Sequence, residues 1–376
     1  MKKILFVNDE MTMGGVARIL NTLLKMIDRN EYEVDLLVLH KRGELLEEIP
    51  EGIRVLSGTS FFEAVDIPLS QCRGKTLFAK LRLLFYMKTG LIKNRIVKER
   101  KKILNRHYDI EFSAKEGFCT IFTAYGDSDR RLNWVQVDYR ESNYSSNHMA
   151  LVKDALKHID MNIACSDTVR DSYKEIFGVD RICVIHNLVD EERIRKMSLE
   201  PVEHETDDKK INLITVARFH RQKGLDRLIS VFARLKDHYT LTIIGDGELK
   251  EELYRQAGEL GCFNDIKWLG IKANPYPYVR KSDLFVMSSL YEGYPTMTIE
   301  SLISDTPVLT TKVAGVDEQI NEDNGFIVEN SEGGLYGKLS ELKDGKEMLR
   351  KLKASLEAYH YNNTDILKAY YELFGR

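Results

Sequence analysis

The chain has 376 residues, of which 30% are charged, and a formal net charge of −3 at pH 7. This length accommodates two globular domains, and the composition is that of a folded protein rather than a disordered or fibrous one. The sequence lacks the apolar run of about 18–20 residues that a transmembrane helix needs, and its opening apolar stretch is too short for a signal peptide. We therefore expect a cytoplasmic protein of two domains.

The spacing of the cysteines disfavours both disulfide bonds and a zinc site. The five cysteines are scattered along the chain, with no C-x-x-C pair and no histidine partner at zinc spacing. We expect buried free thiols and no metal site.

The first half of the chain alternates short apolar runs with helical patterns. Residues 16–27 have apolar side chains at helical spacing and follow a loop that ends in Gly14 and Gly15. A strand, a glycine turn and a helix are typical of the opening unit of a doubly wound α/β sheet. Gly15 would let the backbone approach a ligand, although no G-x-G-x-x-G fingerprint follows. The predicted strands are residues 3–8, 33–39, 53–56, 109–113, 133–137, 161–165 and 182–185.

Residues 73–106 form a strongly basic segment. They include twelve Lys or Arg and one Glu, a local charge of +11, so the remainder of the chain carries −14. Thr76 is placed to cap a helix in which Leu77, Leu81, Leu84 and Phe85 form one apolar side. Basic amphipathic helices suit anionic membrane surfaces. The residues expected to bind a membrane are Lys75, Lys80, Arg82, Lys88, Lys93 and Arg95.

Two other interpretations of the basic segment stay open. It could be a solvated helical face, although the near absence of acidic residues disfavours this. Nucleic-acid binding is the third option, which the acidic remainder of the chain and the lack of a recognisable nucleic-acid-binding motif disfavour.

The second half begins after a polar linker at 200–210. Its predicted strands are residues 211–217, 241–244, 266–270, 284–287, 306–311 and 326–328. Arg218 and Lys223 follow the first of these strands and lead into a helix. Two cations at a strand end fit a diphosphate, because arginine offers a planar fork and lysine a point charge.

A second group of candidate ligand-binding residues follows the strand at 284–287. Pro295 suits the first position of a helix, which places Glu292 on the preceding loop and Glu300 about one turn inside. A helix N-terminus favours phosphate, and two carboxylates beside it can bind hydroxyl groups. Diphosphate together with hydroxyl-bearing groups describes a nucleotide sugar.

These residues resemble a known family. Glu292, seven residues and Glu300 are similar to the E-x7-E signature of retaining glycosyltransferases with the GT-B fold, and most of all to the family 4 group that builds bacterial surface polysaccharides. The Arg218-x4-Lys223-Gly element and the hinge-like sequence at 186–190 support the resemblance. It implies an α/β protein of two Rossmann-like doubly wound domains facing an interdomain cleft. The implied domains are an acceptor domain at 1–188, a hinge at 189–210, a nucleotide-sugar domain at 211–350 and a C-terminal helix at 351–376 that packs on the first domain.

The resemblance also implies roles for individual residues. Arg218, Lys223 and Glu292 are expected to be catalytic, the two cations by stabilising charge on the departing nucleoside diphosphate. The expected nucleotide-binding residues are Gly15, Arg218, Lys223, Ile271 and Glu300. The expected donor-sugar contacts are Glu292, Gly293, Tyr294, Asp138 and Gln136. Gln136 stands where many relatives have a histidine, so no histidine role is carried over.

The implied activity is that of a retaining hexosyl- or N-acetylhexosaminyltransferase acting in capsular or exopolysaccharide synthesis. Its donor is expected to be UDP-linked and its site metal-free, with no cofactor, because no Asp-x-Asp motif lies at a plausible strand end. The basic segment suggests a polyprenyl-diphosphate-linked saccharide as acceptor and a peripheral position on the inner face of the cell membrane. The alternatives are a soluble or protein acceptor, a sugar-nucleotide 2-epimerase of the same fold, which the Arg218–Lys223 and Glu292–Glu300 set disfavours, and a non-catalytic nucleotide-sugar-binding subunit. The missing histidine keeps the last of these open.

Overall fold

The computed structural model describes residues 1–12, 14–65, 67, 69–141 and 145–375. It divides into two compact units, Met1–Leu188 with Thr364–Arg376, and Val189–Asn363. Each unit is a parallel sheet flanked by helices, which confirms the expected pair of Rossmann-like domains.

The first unit contains a seven-stranded parallel sheet in the order β3-β2-β1-β4-β5-β6-β7. Its strands are β1 Lys2–Asn8, β2 Tyr32–Val38, β3 Arg54–Ser57, β4 Ile110–Ser113, β5 Arg130–Val135, β6 Met161–Ala164 and β7 Ile182–Val184. The strand order reverses between β1 and β4, so the loops after these two strands diverge at the carboxyl edge of the sheet. Such a switch point is the usual ligand position in open α/β sheets.

The helices of the first unit are α1 Gly15–Met26, α2 Gly74–Lys88, α3 Ile92–Ile103, α4 Phe118–Ala124, α5 Ser146–Ala155 and α6 Asp167–Phe177, together with the last helix of the chain. Local sequence sets the limits of α6. The Ser166 hydroxyl caps its start by accepting from the Val169 N–H at 3.3 Å, and Gly178 ends it in the left-handed region at φ 67°.

Helix α2 departs from the sequence expectation. It begins at Gly74 with Arg73 at the cap position, so the expected capping by Thr76 is wrong and Thr76 lies inside the helix. Of the described side chains of α2, only Leu83 is buried. Helix α3, in contrast, is anchored to β4 by a buried ion pair of 2.5 Å between Arg100 and Glu111. No helix within the described ranges is long and apolar enough to cross a membrane.

The second unit contains a six-stranded parallel sheet in the order β10-β9-β8-β11-β12-β13. Its strands are β8 Ile211–Val216, β9 Tyr239–Ile244, β10 Ile266–Gly270, β11 Leu284–Met287, β12 Val308–Thr311 and β13 Gly325–Val328. Its helices are α7 Glu191–Ser198, α8 Leu225–Leu235, α9 Lys250–Glu259, α10 Tyr276–Lys281, α11 Thr296–Ile303, α12 Glu332–Leu342 and α13 Lys346–Ser355. All predicted strands of both units are present, with ends within about three residues.

The last helix, α14 (Asn363–Gly375), packs on the first unit. It begins later than the expected segment 351–376, because α13 and the residues up to 363 belong to the second unit. The Tyr370 ring is fully buried, and its hydroxyl accepts a hydrogen bond of 2.7 Å from the indole N–H of Trp134. Tyr371 stacks on Tyr32, with 5.7 Å between ring centroids.

Replacing Tyr370 with Phe should destabilise the first unit. The change keeps the ring but leaves the buried Trp134 N–H without its acceptor, which typically costs about 1–3 kcal/mol. The free energy of unfolding from urea denaturation measures the effect. The control is Lys368→Gln, at an exposed position on the same helix, which should stay within about 0.5 kcal/mol of the wild type. Equal stability of the Tyr370→Phe variant and the control would contradict the prediction.

Candidate functional site

The loop after β11 carries the residues that the sequence singled out. Helix α11 begins at Thr296 with Pro295 at the cap position, so Pro295 lies one residue earlier than expected. Glu292 lies on the preceding loop, as predicted, and Glu300 lies in the second turn of α11. The Glu300 residue is only 3% exposed. The helix start and both carboxylates therefore lie at the carboxyl edge of the sheet.

The structure brings Lys223 and Glu292 together. The Lys223 Nζ lies 2.6 Å from the Glu292 Oε1, and the two side chains are 23% and 10% exposed. The Ser289 hydroxyl donates to the same Oε1 at 2.7 Å, and the Gln222 amide donates to Oε2 at 3.4 Å. Sequence reasoning selected the lysine and the glutamate but missed Ser289 and Gln222.

Hydrogen bonds to two backbone carbonyls hold the segment around Lys223 against the β11 loop. The Leu290 N–H donates to the Gln222 carbonyl at 2.7 Å, and the Ser288 hydroxyl donates to the Lys223 carbonyl at 2.9 Å. Gly224 has φ +56°, and a Cβ at this position would lie 2.3 Å from the Ser288 carbonyl oxygen. Only glycine permits both the conformation and the approach. The lysine and the glutamate therefore meet because two loops are fixed together.

Glu300 is oriented by a residue that the sequence did not point to. Its Oε2 accepts a hydrogen bond of 3.0 Å from the hydroxyl of Tyr276, at the start of α10. The two residues are 3% and 7% exposed. A buried carboxylate needs such a donor, because an unpaired charge in an apolar setting is costly.

Gly293 and Tyr294 are buried in the same loop. Gly315, at φ +78°, packs against them, and a Cβ on it would lie 2.8 Å from the Gly293 carbonyl oxygen. Burial raises the pKa of the Tyr294 phenol. Its hydroxyl therefore stays protonated at neutral pH.

Two further predicted residues lie beyond other strands of the same sheet. Arg218 follows β8 and is exposed; its carbonyl accepts from the His220 N–H at 2.8 Å, but its guanidinium makes no hydrogen bond or ion pair with any residue of the described ranges. Ile271 follows β10 and is 77% exposed. Both lie past the carboxyl ends of parallel strands, where a ligand can reach them.

The remaining predicted ligand contacts belong to the first unit. Gly15 is the first residue of α1. Asp138 accepts from both the backbone N–H and the Nε of Arg140, at 3.0 and 3.1 Å. These residues lie at the carboxyl edge of the first sheet, after β1 and β5.

Gln136 is engaged inside the first unit. Its side-chain amide exchanges two hydrogen bonds of 3.0 Å with the Asn187 amide. Its backbone N–H donates to Glu116 at 3.0 Å, and burial raises the pKa of that carboxyl. The position at which the resemblance suggested a histidine is thus filled by an amide pair, which the sequence did not reveal because Asn187 lies 51 positions away.

The predicted membrane-binding residues divide into two groups. Lys75, Lys88 and Lys93 are exposed. Of these three, Lys93 also lies over the Tyr125 ring, 5.3 Å from its centroid. The other three are only partly exposed and contact the protein: Lys80 donates to the Val65 carbonyl, Arg82 lies over the Phe61 ring, and Arg95 pairs with Glu99.

The apolar side chains beside these cations face outward. Phe78 and Phe85 are 71% and 58% exposed. The other exposed large apolar side chains of this region are Leu69, Leu77, Leu81, Leu84 and Leu91. We call the exposed apolar and basic side chains of residues 69–93 the α2 surface.

Among the residues that the structure describes, no group of three or more His, Cys, Asp or Glu side chains is placed to hold a metal ion. Metal independence stays a prediction.

Replacing Gly224 with Ala should destabilise the second unit more than an ordinary glycine replacement. A left-handed alanine costs about 1 kcal/mol, and here the added Cβ also collides with the Ser288 carbonyl oxygen. Gly261→Ala is the matched control, because Gly261 has φ +64° and open space around it. Thermal unfolding should show a larger loss for Gly224→Ala, and equal losses would mean that the close approach is unimportant.

Comparisons with known proteins agree with this geometry. A family model described as Glycosyltransferase Family 4 matches residues 13–193, and one described as Glycosyl transferases group 1 matches residues 197–358. The N-acetylgalactosamine-N,N'-diacetylbacillosaminyl-diphospho-undecaprenol 4-alpha-N-acetylgalactosaminyltransferase of Campylobacter jejuni is 27% identical over 94% of this chain and 94% of its own length.

Other relatives match over shorter spans. The O-antigen biosynthesis glycosyltransferase WbnH of Escherichia coli is 36% identical over 37% of this chain and 39% of its own length. Several further curated relatives likewise match over about half of their own length or less.

The fold is shared with solved structures. The Anabaena protein Alr3699/HepE, solved in complex with UDP-glucose, matches with a TM-score of 0.73 at 18% identity, covering 100% of both chains. At this identity the likeness shows the fold alone. The family 4 model over the first half of the chain, the group 1 model over the second half, a relative matched over nearly its whole length and the shared fold together show that the chain is a glycosyltransferase with the GT-B fold.

Proposed function

We propose that the protein is a retaining glycosyltransferase that moves a sugar from a UDP-sugar to a polyprenyl-diphosphate-linked saccharide. The observation that carries the proposal is the placement of Lys223, Glu292 and Glu300 at one sheet edge, beside the N-terminus of α11. Cations, a helix start and carboxylates at one edge are the groups that a nucleotide sugar needs.

In the proposed donor site, each part of the nucleotide sugar has its own partner. Arg218, which is exposed and uses none of its donors within the described part of the chain, is available for the diphosphate together with Lys223. Glu300, oriented by Tyr276, accepts from the ribose hydroxyls. The sugar hydroxyls bind Glu292. Gly293, Tyr294 and the exposed Ile271 complete the proposed site in the second unit.

In this proposal the first unit binds the acceptor substrate. Gly15 is its nucleotide contact, and Gln136 and Asp138 are its contacts to the donor sugar. The Gln136 amide is already paired with Asn187, so its contact to the sugar would use its remaining N–H or oxygen lone pair, and no proton transfer is assigned to it.

The proposed reaction needs few protein groups for proton transfer. The bond between the sugar C1 and the diphosphate oxygen breaks, and the acceptor oxygen forms a bond to C1 on the same face. The acceptor proton passes to the departing phosphate oxygen. Arg218 and Lys223 stabilise the negative charge that develops on the nucleoside diphosphate, which is electrostatic rather than acid catalysis. No metal takes part in this proposal.

The choice of donor and acceptor has separate support. HepE, which shares the fold, was solved with UDP-glucose, so uridine nucleotides are the first donors to test. The Campylobacter jejuni relative carries a diphospho-undecaprenol acceptor in its name. WbnH is named for O-antigen biosynthesis, which supports a role in surface polysaccharide synthesis, capsular or exopolysaccharide. The α2 surface would place the enzyme on the inner face of the membrane that holds such an acceptor.

Two alternatives keep the same donor site. A soluble or protein acceptor would leave the α2 surface without a membrane role. A non-catalytic nucleotide-sugar-binding subunit is favoured only by the Gln136–Asn187 pair, which occupies the histidine position. Sugar transfer by the purified protein would exclude the subunit.

A panel of nucleotides and UDP-sugars should identify the donor through thermal stabilisation. UDP and one UDP-sugar should raise the stability of the wild type by about 3 kcal/mol at one hundred times the dissociation constant. Lys223→Ala should lose most of this stabilisation, because it removes a diphosphate partner and leaves Glu292 without its cation.

The matched control is Lys338→Ala. Lys338 has the same 23% side-chain exposure and a comparable ion pair, 2.7 Å from Glu341, on α12. It should respond to UDP like the wild type. If no nucleotide raises the thermal stability of the wild type, the proposed donor site is contradicted.

The α2 surface should bind anionic lipid vesicles at low salt. Phe78→Ser with Phe85→Ser should release the protein, because each phenyl ring buried in lipid contributes about 1.5–3 kcal/mol. Replacing Lys75, Lys88 and Lys93 with Gln should weaken binding by about 1 kcal/mol per charge, an effect that added salt reduces.

Co-sedimentation with vesicles measures both effects. Phe263→Ser is the control, because Phe263 is also an exposed aromatic residue, 37% accessible, but lies in the second unit. Failure of the wild type to sediment with anionic vesicles would support the soluble-acceptor alternative.

A further inference from the structure

Arg227, on the first turn of α8, is a buried cation at the edge of the proposed donor site. The residue is 8% exposed. Its Nε and Nη2 lie 2.8 and 2.5 Å from the Ser288 carbonyl oxygen, and Nη2 lies 2.6 Å from the Ser289 carbonyl oxygen. The guanidinium therefore binds the first two residues after β11, on the loop that carries Glu292.

The same guanidinium reaches the ends of two more strands. Its Nη2 lies 3.3 Å from the Thr311 hydroxyl, the last residue of β12, and 2.7 Å from the Asn330 amide oxygen, just after β13. Asn330 in turn donates to the Leu290 carbonyl at 2.8 Å. One side chain thus connects three neighbouring strand ends.

All of these partners are neutral oxygens. No carboxylate of the described residues lies within 4.0 Å of the Arg227 guanidinium. The neighbouring Asp226 is exposed and forms no ion pair with it. Burial lowers the pKa of the Arg227 guanidinium, the charge of Asp226 partly opposes this, and arginine remains charged at neutral pH.

A buried positive charge that lacks an anionic partner is costly, and an anion nearby would offset that cost. The loop that Arg227 binds is the loop after β11, next to Lys223 and before the N-terminus of α11. An anionic ligand at this edge would meet the field of the buried charge, and the low dielectric around it strengthens the interaction.

We propose that Arg227 is a positioning residue of the donor site, which holds the loop after β11 by the Ser288 and Ser289 carbonyl oxygens and whose buried charge, in no ion pair with a carboxylate of the described residues, favours an anionic diphosphate there. This inference rests on the proposed function, because it takes the ligand to be a nucleoside diphosphate. Arg227 acts from behind the loop and does not contact the reacting atoms.

The test compares the binding of UDP and uridine by calorimetry. The two ligands differ only in the diphosphate, so general loosening of the site would weaken both, whereas loss of the buried charge would weaken UDP alone. Arg227→Gln keeps two hydrogen-bond donors for the loop carbonyls but removes the charge. Arg227→Lys keeps the charge but loses the planar fork.

We expect Arg227→Gln to bind UDP about 10-fold more weakly than the wild type, a loss of about 1.4 kcal/mol, with uridine affinity changed less than about 2-fold. Arg227→Lys should keep most of the preference for UDP over uridine. The control is Arg234→Gln, on the same helix, where Arg234 stacks on Tyr336 and is 53% exposed. Its UDP affinity should equal that of the wild type. Arg227→Met replaces the Gln variant if the latter does not fold.

The outcomes separate the two proposals. If Arg227→Gln has the same ratio of UDP affinity to uridine affinity as the wild type, the proposed role of Arg227 is overturned and the proposed donor site is not affected. An equal loss for both ligands, or an equal loss of preference in the Lys and Gln variants, would overturn it as well. A wild-type protein that binds neither UDP nor any other nucleotide would overturn the proposed function and this inference with it.

Discussion

The close approach of Gly224 to the Ser288 carbonyl oxygen is the constraint on which the ligand edge of the second unit depends. The distance leaves no room for a Cβ, so two loops that follow different strands are in direct backbone contact. Hydrogen bonds from Leu290 to Gln222 and from Ser288 to Lys223 then fix their register. Because the contact is made by backbone atoms, it holds Lys223 and Glu292 in position before any ligand arrives.

The ion pair that results has a direct consequence for binding. Lys223 and Glu292 satisfy each other at 2.6 Å, and Ser289 adds a second donor to the carboxylate. In the proposed reaction, a diphosphate must compete with Glu292 for the lysine, and sugar hydroxyls must replace the lysine at the carboxylate. A nucleotide sugar offers both exchanges at once, whereas a nucleotide without the sugar offers only the first. Such paired exchange would favour the complete donor over its nucleotide product.

The first unit combines a rigid anchor with an exposed surface. Arg100 of α3 forms a buried ion pair with Glu111 of β4, and its guanidinium lies over the Phe122 ring at 4.6 Å. Breaking a buried pair of this kind is strongly unfavourable, so α3 is firmly held to the sheet. Helix α2, just before it, buries little and exposes phenylalanine and leucine side chains instead. Exposed apolar side chains beside cations are typical of a helix that lies in a lipid interface.

The sequence by itself determined the parts of this protein that local patterns encode. Apolar runs between turn residues located every strand of both sheets, because a parallel strand is buried on both faces and leaves a continuous apolar signature. The spacing of Arg218, Lys223, Glu292 and Glu300 indicated the proposed donor site, because these residues follow strands whose carboxyl ends share one edge. Tertiary structure decided everything that depends on distant contacts. It showed that the apolar side chains of α2 face outward, since amphipathic spacing does not reveal which face packs. It also paired Gln136 with Asn187, oriented Glu300 through Tyr276 and buried Arg227 beneath the loop after β11, because each of these partners comes from a different part of the chain and is brought close only by the folded sheet.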